Sequence, residues 1–189
     1  MPSTGQVTDV ELVARARGGD KDAFGELVER HRISVYRAAL AALRSPAEAE
    51  DAAQEAFVTA YLRLDSFRGE STFKTWLLSI AWREALDRRR SLVRRLRRFS
   101  FGEPLDDGPD DPGPSPECAL LNAERLSAVR RLVKTLPAPL RDALLLQATG
   151  DHTYEALAEI LGTPSGTIKW RVSEARRILR SKLETLGYA

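Results

Sequence analysis

One cysteine, one methionine and two histidines among 189 residues close off several chemistries at once. A lone Cys118 cannot form an internal disulfide, and with only His31 and His152 beside it the chain offers no metal-ligand spacing, so no metal or other cofactor is expected. Cys118 reads as a small apolar residue. There is no glycine-rich phosphate loop, no paired-carboxylate site and no nucleophile–base set, which argues against an enzyme. No apolar run approaches the roughly 20 residues that a membrane helix needs, and the amino terminus lacks a basic stretch followed by an apolar one. A cytoplasmic protein without membrane insertion is therefore expected. Sustained period-two alternation is missing as well, whereas helical spacing and caps recur, so the fold class is expected to be all-α.

The net charge of +2 becomes informative once it is divided along the chain. Residues 1–98 hold eighteen basic and fourteen acidic side chains, residues 99–117 none and six, and residues 118–189 eleven and seven. The middle segment, FSFGEPLDDGPDDPGPSPE, is dense in proline, glycine and acid and cannot pack a core. Two small helical domains, 1–98 and 118–189, are thus expected to flank an acidic flexible linker at 99–117.

Helix starts and stops are written locally. Thr8 with Glu11 forms a capping box for a helix that ends at Gly18-Gly19. Asp20 caps a second through Leu43, with Phe24, Leu27, Val28, Val35, Ala38, Ala39 and Ala42 as its apolar stripe. Ser45-Pro46-Ala47-Glu48 reads as another capping box, with proline at the first helical position, opening a third helix to about Leu64. Ser71 or Thr72 caps a fourth through at least Asp87, continuing into an arginine run. Ser115-Pro116 opens a helix through Thr135, and Pro139 one through Ala148.

From Thr153 to Arg180 the chain spells two short helices and a tight turn, with a basic second helix. Ala158 is small where the helices must touch, Gly162 supplies φ > 0 at the turn, and Ile168 points back into the core. Thr153 caps the first helix, and Ser165 after Pro164 is expected to cap the second. Along that helix Ile168, Val172, Ala175 and Leu179 recur at helical spacing, leaving Thr167, Lys169, Trp170, Arg171, Ser173, Arg176 and Arg177 at the flanks or outside. These residue types suit a DNA major groove: cations for phosphates or guanine edges, hydroxyls for either, an indole for a thymine methyl.

Two surfaces of the first domain need explaining. The third helix packs through Ala49, Ala53, Phe57, Ala60 and Leu64, while Glu48, Asp51, Gln54 and Glu55 make an acidic outer face that repels DNA. The stretch from Arg88 to Arg98 contains seven arginines, with Lys74 and Arg83 upstream, and suits phosphate. Plain solvation is the alternative for each surface.

DAAQEAF at 51–57, FRGESTFKTWLLSIA at 67–81 followed by Asp87-Arg88-Arg89-Arg90, LPAPLRDALLL at 136–146 and YEALAEILGTPSGTIKWRV at 154–172 together resemble a bacterial sigma factor of the two-domain extracytoplasmic-function group. The resemblance covers roughly residues 20–98 and 118–184. It implies an initiation factor that binds core RNA polymerase through the largest-subunit clamp and the flap and directs it to promoters. Asp51, Gln54 and Glu55 would meet the clamp, and Phe57 would pack inside. Phe67, Arg68, Gly69, Ser71, Phe73, Lys74, Arg83 and Arg88 would lie near minus-ten DNA, with the loop at 65–71 capturing an unstacked base. Trp76 reads as core rather than wedge. The helix at 165–180 would read the minus-thirty-five element, with Lys169, Trp170 and Ser173 on base edges and Arg171, Arg176 and Arg177 on phosphates. The linker would thread the polymerase channels, and an anti-sigma factor is common in the family. Arg83, Trp170 and Glu174 depart from the usual pattern, so a promoter sequence does not transfer. His152, also atypical, reads as structural. A stand-alone helix-turn-helix regulator is the competing class, but it leaves the acidic face and the loop unexplained and lacks a self-complementary apolar surface for dimerisation.

Overall fold

The computed structural model describes residues 7–99, 126–150 and 152–188, with side chains through Arg95 in the first stretch. All regular structure among them is helical: α1 (Asp9–Arg17), α2 (Lys21–Leu43), α3 (Pro46–Leu62), a 3-10 turn (Leu64–Ser66), α4 (Phe73–Phe99), α5 (126–134), α6 (Ala138–Ala148), α7 (Tyr154–Leu161) and α8 (Ser165–Thr185). None of the described helices is long and apolar enough to cross a membrane. The chain forms two compact units, α1–α4 in one and α5, α6 and α8 in the other, with α7 leading into α8. The helix start at Ser115-Pro116 and, apart from Phe99 at the end of α4, the linker at 99–117 lie outside the described residues.

In the first unit, local chemistry sets the helix ends. Thr8 and Glu11 form the full reciprocal capping box of α1, and Asp20 accepts the Ala23 N–H at 3.0 Å to start α2. Arg44, at φ 59°, takes the left-handed position that closes α2, and its N–H returns to the Leu40 carbonyl at 2.8 Å. Ser45 follows directly and accepts from the Glu48 N–H, so the corner between α2 and α3 is two residues wide. The second arm expected of that capping box is absent, because the Glu48 carboxylate is bonded to Arg88 instead. Helix α3 also stops at Leu62, two residues early, where the chain tightens into the 3-10 turn.

The core of this unit lies between α2, α3 and α4, with α1 laid against α2. Helix α3 contributes only alanines, at 49, 52, 53, 56 and 60, which lets neighbouring backbones approach closely while leucines on the other helices fill the space. Leu12, Leu27, Leu77 and Leu78 are 0–1% exposed, each such burial contributing about 1.5–3 kcal/mol. Phe57, by contrast, is only half-buried. His31 is buried on the α2 stripe between Leu27 and Val35. Its Nε2 lies 2.7 Å from the Asp9 carboxylate, whose other oxygen accepts from Arg30 at 3.1 Å, so the polar group is satisfied and α1 is tied to α2.

In the second unit Val133, Leu136, Leu140, Ala175 and Leu179 form a core between α5, α6 and α8, lined by Val129, Leu132, Leu144, Leu145 and Ile178.

Candidate nucleic-acid interface

The loop between α3 and α4 hangs from a buried aromatic root. Phe67 is 8% exposed and Phe73 4%. Their rings meet edge-on at 5.7 Å, and Trp76 packs against both at 5.3 and 5.7 Å. Phe67 and Phe73, expected near minus-ten DNA, thus have their apolar faces consumed by one another in this conformation, and they support the loop from beneath. Trp76, half-buried between them, is on the core side as expected. What the loop offers outward is Arg68, Gly69 and Glu70, all exposed, with Ser71 half-buried. Gly69 has φ +75°, a left-handed conformation that a side chain would strain. Thr72 caps α4 through its hydroxyl, 3.1 Å from the Thr75 N–H. Beyond it, Lys74 is half-buried and Arg83 exposed.

Sequence reading misses the residue that fastens this loop. Arg17, in the last turn of α1, donates from Nε and Nη2 to the Leu64 carbonyl at 3.2 and 3.0 Å and from Nη2 to the Phe67 carbonyl. Its guanidinium lies 6.0 Å from the centre of the Phe67 ring. These contacts span some fifty residues of sequence, and no local pattern signals them.

On α3, Asp51, Gln54 and Glu55 are exposed, as expected. They adjoin a shallow groove that Val58, Thr59 and Glu84 complete. Thr59 donates to Glu84 at 3.2 Å and links α3 to α4. Arg88 departs from expectation. Rather than facing outward for DNA, it reaches across to the acidic face, donating to Glu48, to Asp51 at 2.5 Å and to Glu55 at 3.1 Å. The hydrogen bond to Glu48 outweighs partial burial and raises its already high pKa further. Positions 48, 51 and 55 lie on successive turns of one face, so a single planar guanidinium can bridge all three.

In the second unit, the Thr153 hydroxyl caps α7 at 3.1 Å from the Ala156 N–H. Gly162 has φ +59° at the turn, and the Thr163 N–H closes onto the Ala158 carbonyl at 2.9 Å. Helix α8 begins at Ser165 with Pro164 in the cap position and no side-chain cap, so Ser165 is the first helical residue, not the cap. His152 is half-buried, 3.2 Å from the Thr149 hydroxyl. Ile168, Val172, Ala175 and Leu179 are 0–9% exposed and Trp170 is 60% exposed. The expected stripe thus faces in, and Lys169, Trp170, Ser173, Arg176 and Arg177 face out, with Thr167 and Arg171 at the flanks. Arg171 donates to Thr163 at 3.3 Å and Arg176 to Gln147 at 2.8 Å. Arg177 is held by Glu174 through two bonds of 2.8 and 2.7 Å. That pairing lowers the Glu174 pKa and raises the Arg177 one.

Comparison with known proteins accounts for both units. Residues 27–95 match the family described as Sigma-70 region 2, and residues 126–179 the one described as Sigma-70, region 4. The RNA polymerase sigma-H factor of Pseudomonas aeruginosa is 35% identical over 194 residues, covering 96% of each chain. The ECF RNA polymerase sigma-E factor of Escherichia coli is 36% identical over 195 residues, covering 96% of this chain and 97% of its own. Among solved structures, the sigma factor RpoE from Bartonella quintana, in complex with the anti-sigma factor NepR, aligns with a TM-score of 0.66 at 28% identity, covering 85% of this chain and 96% of that one. CnrH in complex with the cytosolic domain of CnrY aligns at 0.65 and 26%, covering 94% and 97%. The chain belongs to the extracytoplasmic-function group of sigma-70 factors, the promoter-specific, non-enzymatic subunits of bacterial transcription initiation.

Proposed function

We propose how this initiation factor divides its work among its surfaces. The acidic face of α3, through Asp51, Gln54 and Glu55, docks on the clamp of the largest polymerase subunit, and the second unit engages the flap. The loop tip, through Arg68, the Gly69 backbone and Ser71, holds one unpaired minus-ten base, with Phe67 and Phe73 supporting it and Lys74 and Arg83 on the adjoining backbone. Stacking on a guanidinium and a hydrogen bond from a hydroxyl suit a flipped base, and the binding energy offsets the few kcal/mol of unstacking. Thr167, Lys169, Trp170, Arg171, Ser173, Arg176 and Arg177 meet the minus-thirty-five element, with Lys169, Trp170 and Ser173 on base edges. The domains are 1–98 and 118–189, and the acidic linker at 99–117 follows the path of nucleic acid inside the polymerase. The factor works in the cytoplasm and binds an anti-sigma factor, as the Bartonella protein was solved in complex with the anti-sigma factor NepR.

The observation that carries this division is the burial pattern of α8. Its apolar stripe is spent on the core while Trp170 and the cations stay exposed, which leaves that face for an external polyanion. The test is transcription by purified core polymerase on a library of bacterial genomic fragments, with and without the chain. A discrete new set of start sites that appears only with the chain is expected. Tight duplex binding without core, and no new starts with it, would favour the stand-alone regulator and overturn the division.

A further inference from the structure

We infer that Arg17 is a positioning residue for base capture: its guanidinium sets the height and orientation of the loop tip without touching the DNA. The inference rests on the proposed reading of the loop at 68–71. Two carbonyls at the root of that loop, Leu64 and Phe67, accept from the Arg17 fork, and the Leu64 carbonyl also accepts the Phe67 N–H at 3.1 Å. The guanidinium therefore caps the carboxy-terminal end of the 3-10 turn, where a cation is favoured and free carbonyls need donors. The tip, with Gly69 at φ +75°, begins one residue later, so its course is set by where the Phe67 carbonyl is held.

The other end of the lever is fixed as well. Arg15 grips the Asp20 carboxylate at 2.9 and 2.8 Å, and Asp20 itself caps α2. The turn after α1 is closed by Gly19 N–H to the Ala16 carbonyl at 3.0 Å and Asp20 N–H to the Arg15 carbonyl at 3.2 Å, with Gly19 at φ +92°. Arg17 thus projects from a rigid corner. Its chemistry is specific: a planar fork engages two carbonyls at once, which a lysine ammonium does not reproduce, while its central carbon lies over the Phe67 ring at 6.0 Å from the centre. Arg17 is exposed, so its removal leaves no buried cavity. An exposed residue holding a loop root by its backbone, with nothing to gain for the core, is placed for geometry rather than for packing.

The experiment uses holoenzyme assembled with core polymerase and a pool of short single-stranded DNA of randomised sequence, sequencing what is retained. The wild type is expected to enrich a motif with one strongly preferred base in the loop pocket. With Arg17→Met, preference at that position falls by roughly tenfold, as for loss of one stacked base, while the remaining motif, core affinity and unfolding temperature stay near wild type. Arg17→Lys, which keeps charge but not the fork, gives an intermediate preference, and it decides the matter alone if the methionine variant folds poorly. Undiminished preference at every position in Arg17→Lys and Arg17→Met overturns the inference, as does an equal loss of preference at all positions. Arg68→Ala with Ser71→Ala separates the two claims. If that loop variant keeps the motif, the pocket reading itself fails; if it loses the pocket base and the Arg17 variants do not, only the positioning role fails.

Discussion

Arg88 and Asp51 face each other at 2.5 Å across the seam between α4 and α3, joining the helix that carries the arginine run to the helix that carries the acidic face. Glu48 and Glu55 converge on the same guanidinium, so one cation serves three carboxylates. The pairing explains how an α3 face with three acids can fold without self-repulsion. It also holds the Arg88 guanidinium against the acidic face of α3, the surface proposed to dock on polymerase, rather than leaving it open to solvent.

Replacing Arg88 by alanine should therefore cost stability as well as function. Asp51 and Glu55 are 60% and 58% exposed, so solvent screens their share, and about 1 kcal/mol is expected for the network as a whole. Denaturant unfolding at low and high salt checks this: the deficit should shrink as salt rises. A deficit indifferent to salt would mean that the side chain acts through packing alone.

Lys169→Ala and Trp170→Ala should change which minus-thirty-five sequences are used, each costing about 1–3 kcal/mol at a particular base. Glu174 makes the contrasting case. It grips Arg177 and lowers the positive charge of the side proposed to face DNA, so Glu174→Gln should tighten binding to all sequences alike and steepen the salt dependence by about one unit. Binding titrations over a series of duplexes and salt concentrations separate these outcomes. A sequence-selective effect of Glu174→Gln would assign it to base reading instead.

Acid should loosen the first unit through two caps. The Ala23 N–H, then Arg15, holds the Asp20 pKa below the ordinary carboxylate range, and Thr8 does the same for Glu11. A carboxyl whose folded pKa is depressed binds fewer protons folded than unfolded, so its stabilisation is complete above about pH 4–4.5 and is lost as pH falls through the lowered folded values. Asp20→Asn with Glu11→Gln should flatten the acid limb of stability against pH relative to wild type. An acid limb of unchanged slope would show that these caps do not drive it.

Much of the fold was legible because helix ends are local events. Asp20, Thr72 and Thr153 cap the helices they were expected to cap, and the α8 stripe follows from spacing alone. His31 was not read into the stripe although it sits four residues from both Leu27 and Val35, because its polarity concealed it. Long-range partners were not legible either. The Arg88 contacts cross 33 to 40 residues and those of Arg17 up to 50, and an arginine within a basic run or beside a helix end carries no mark of which carbonyl or carboxylate it will find. The burial of Phe67 and Phe73 was hidden for a related reason: aromatic rings beside an exposed loop serve equally as stacking faces or as its buried root, and only their mutual packing decides.

If the exposed carboxylates of α3 form the proposed polymerase-docking surface, it is the equilibrium affinity of core polymerase for the Asp51→Arg, Glu55→Arg chain that shows it, compared with wild type under conditions where circular dichroism shows both folded. An acidic face that docks by charge complementarity takes a basic partner surface, against which like charges cost several kcal/mol, so the affinity should fall by at least about tenfold. Native affinity in the folded double variant would mean that polymerase docks elsewhere on the chain.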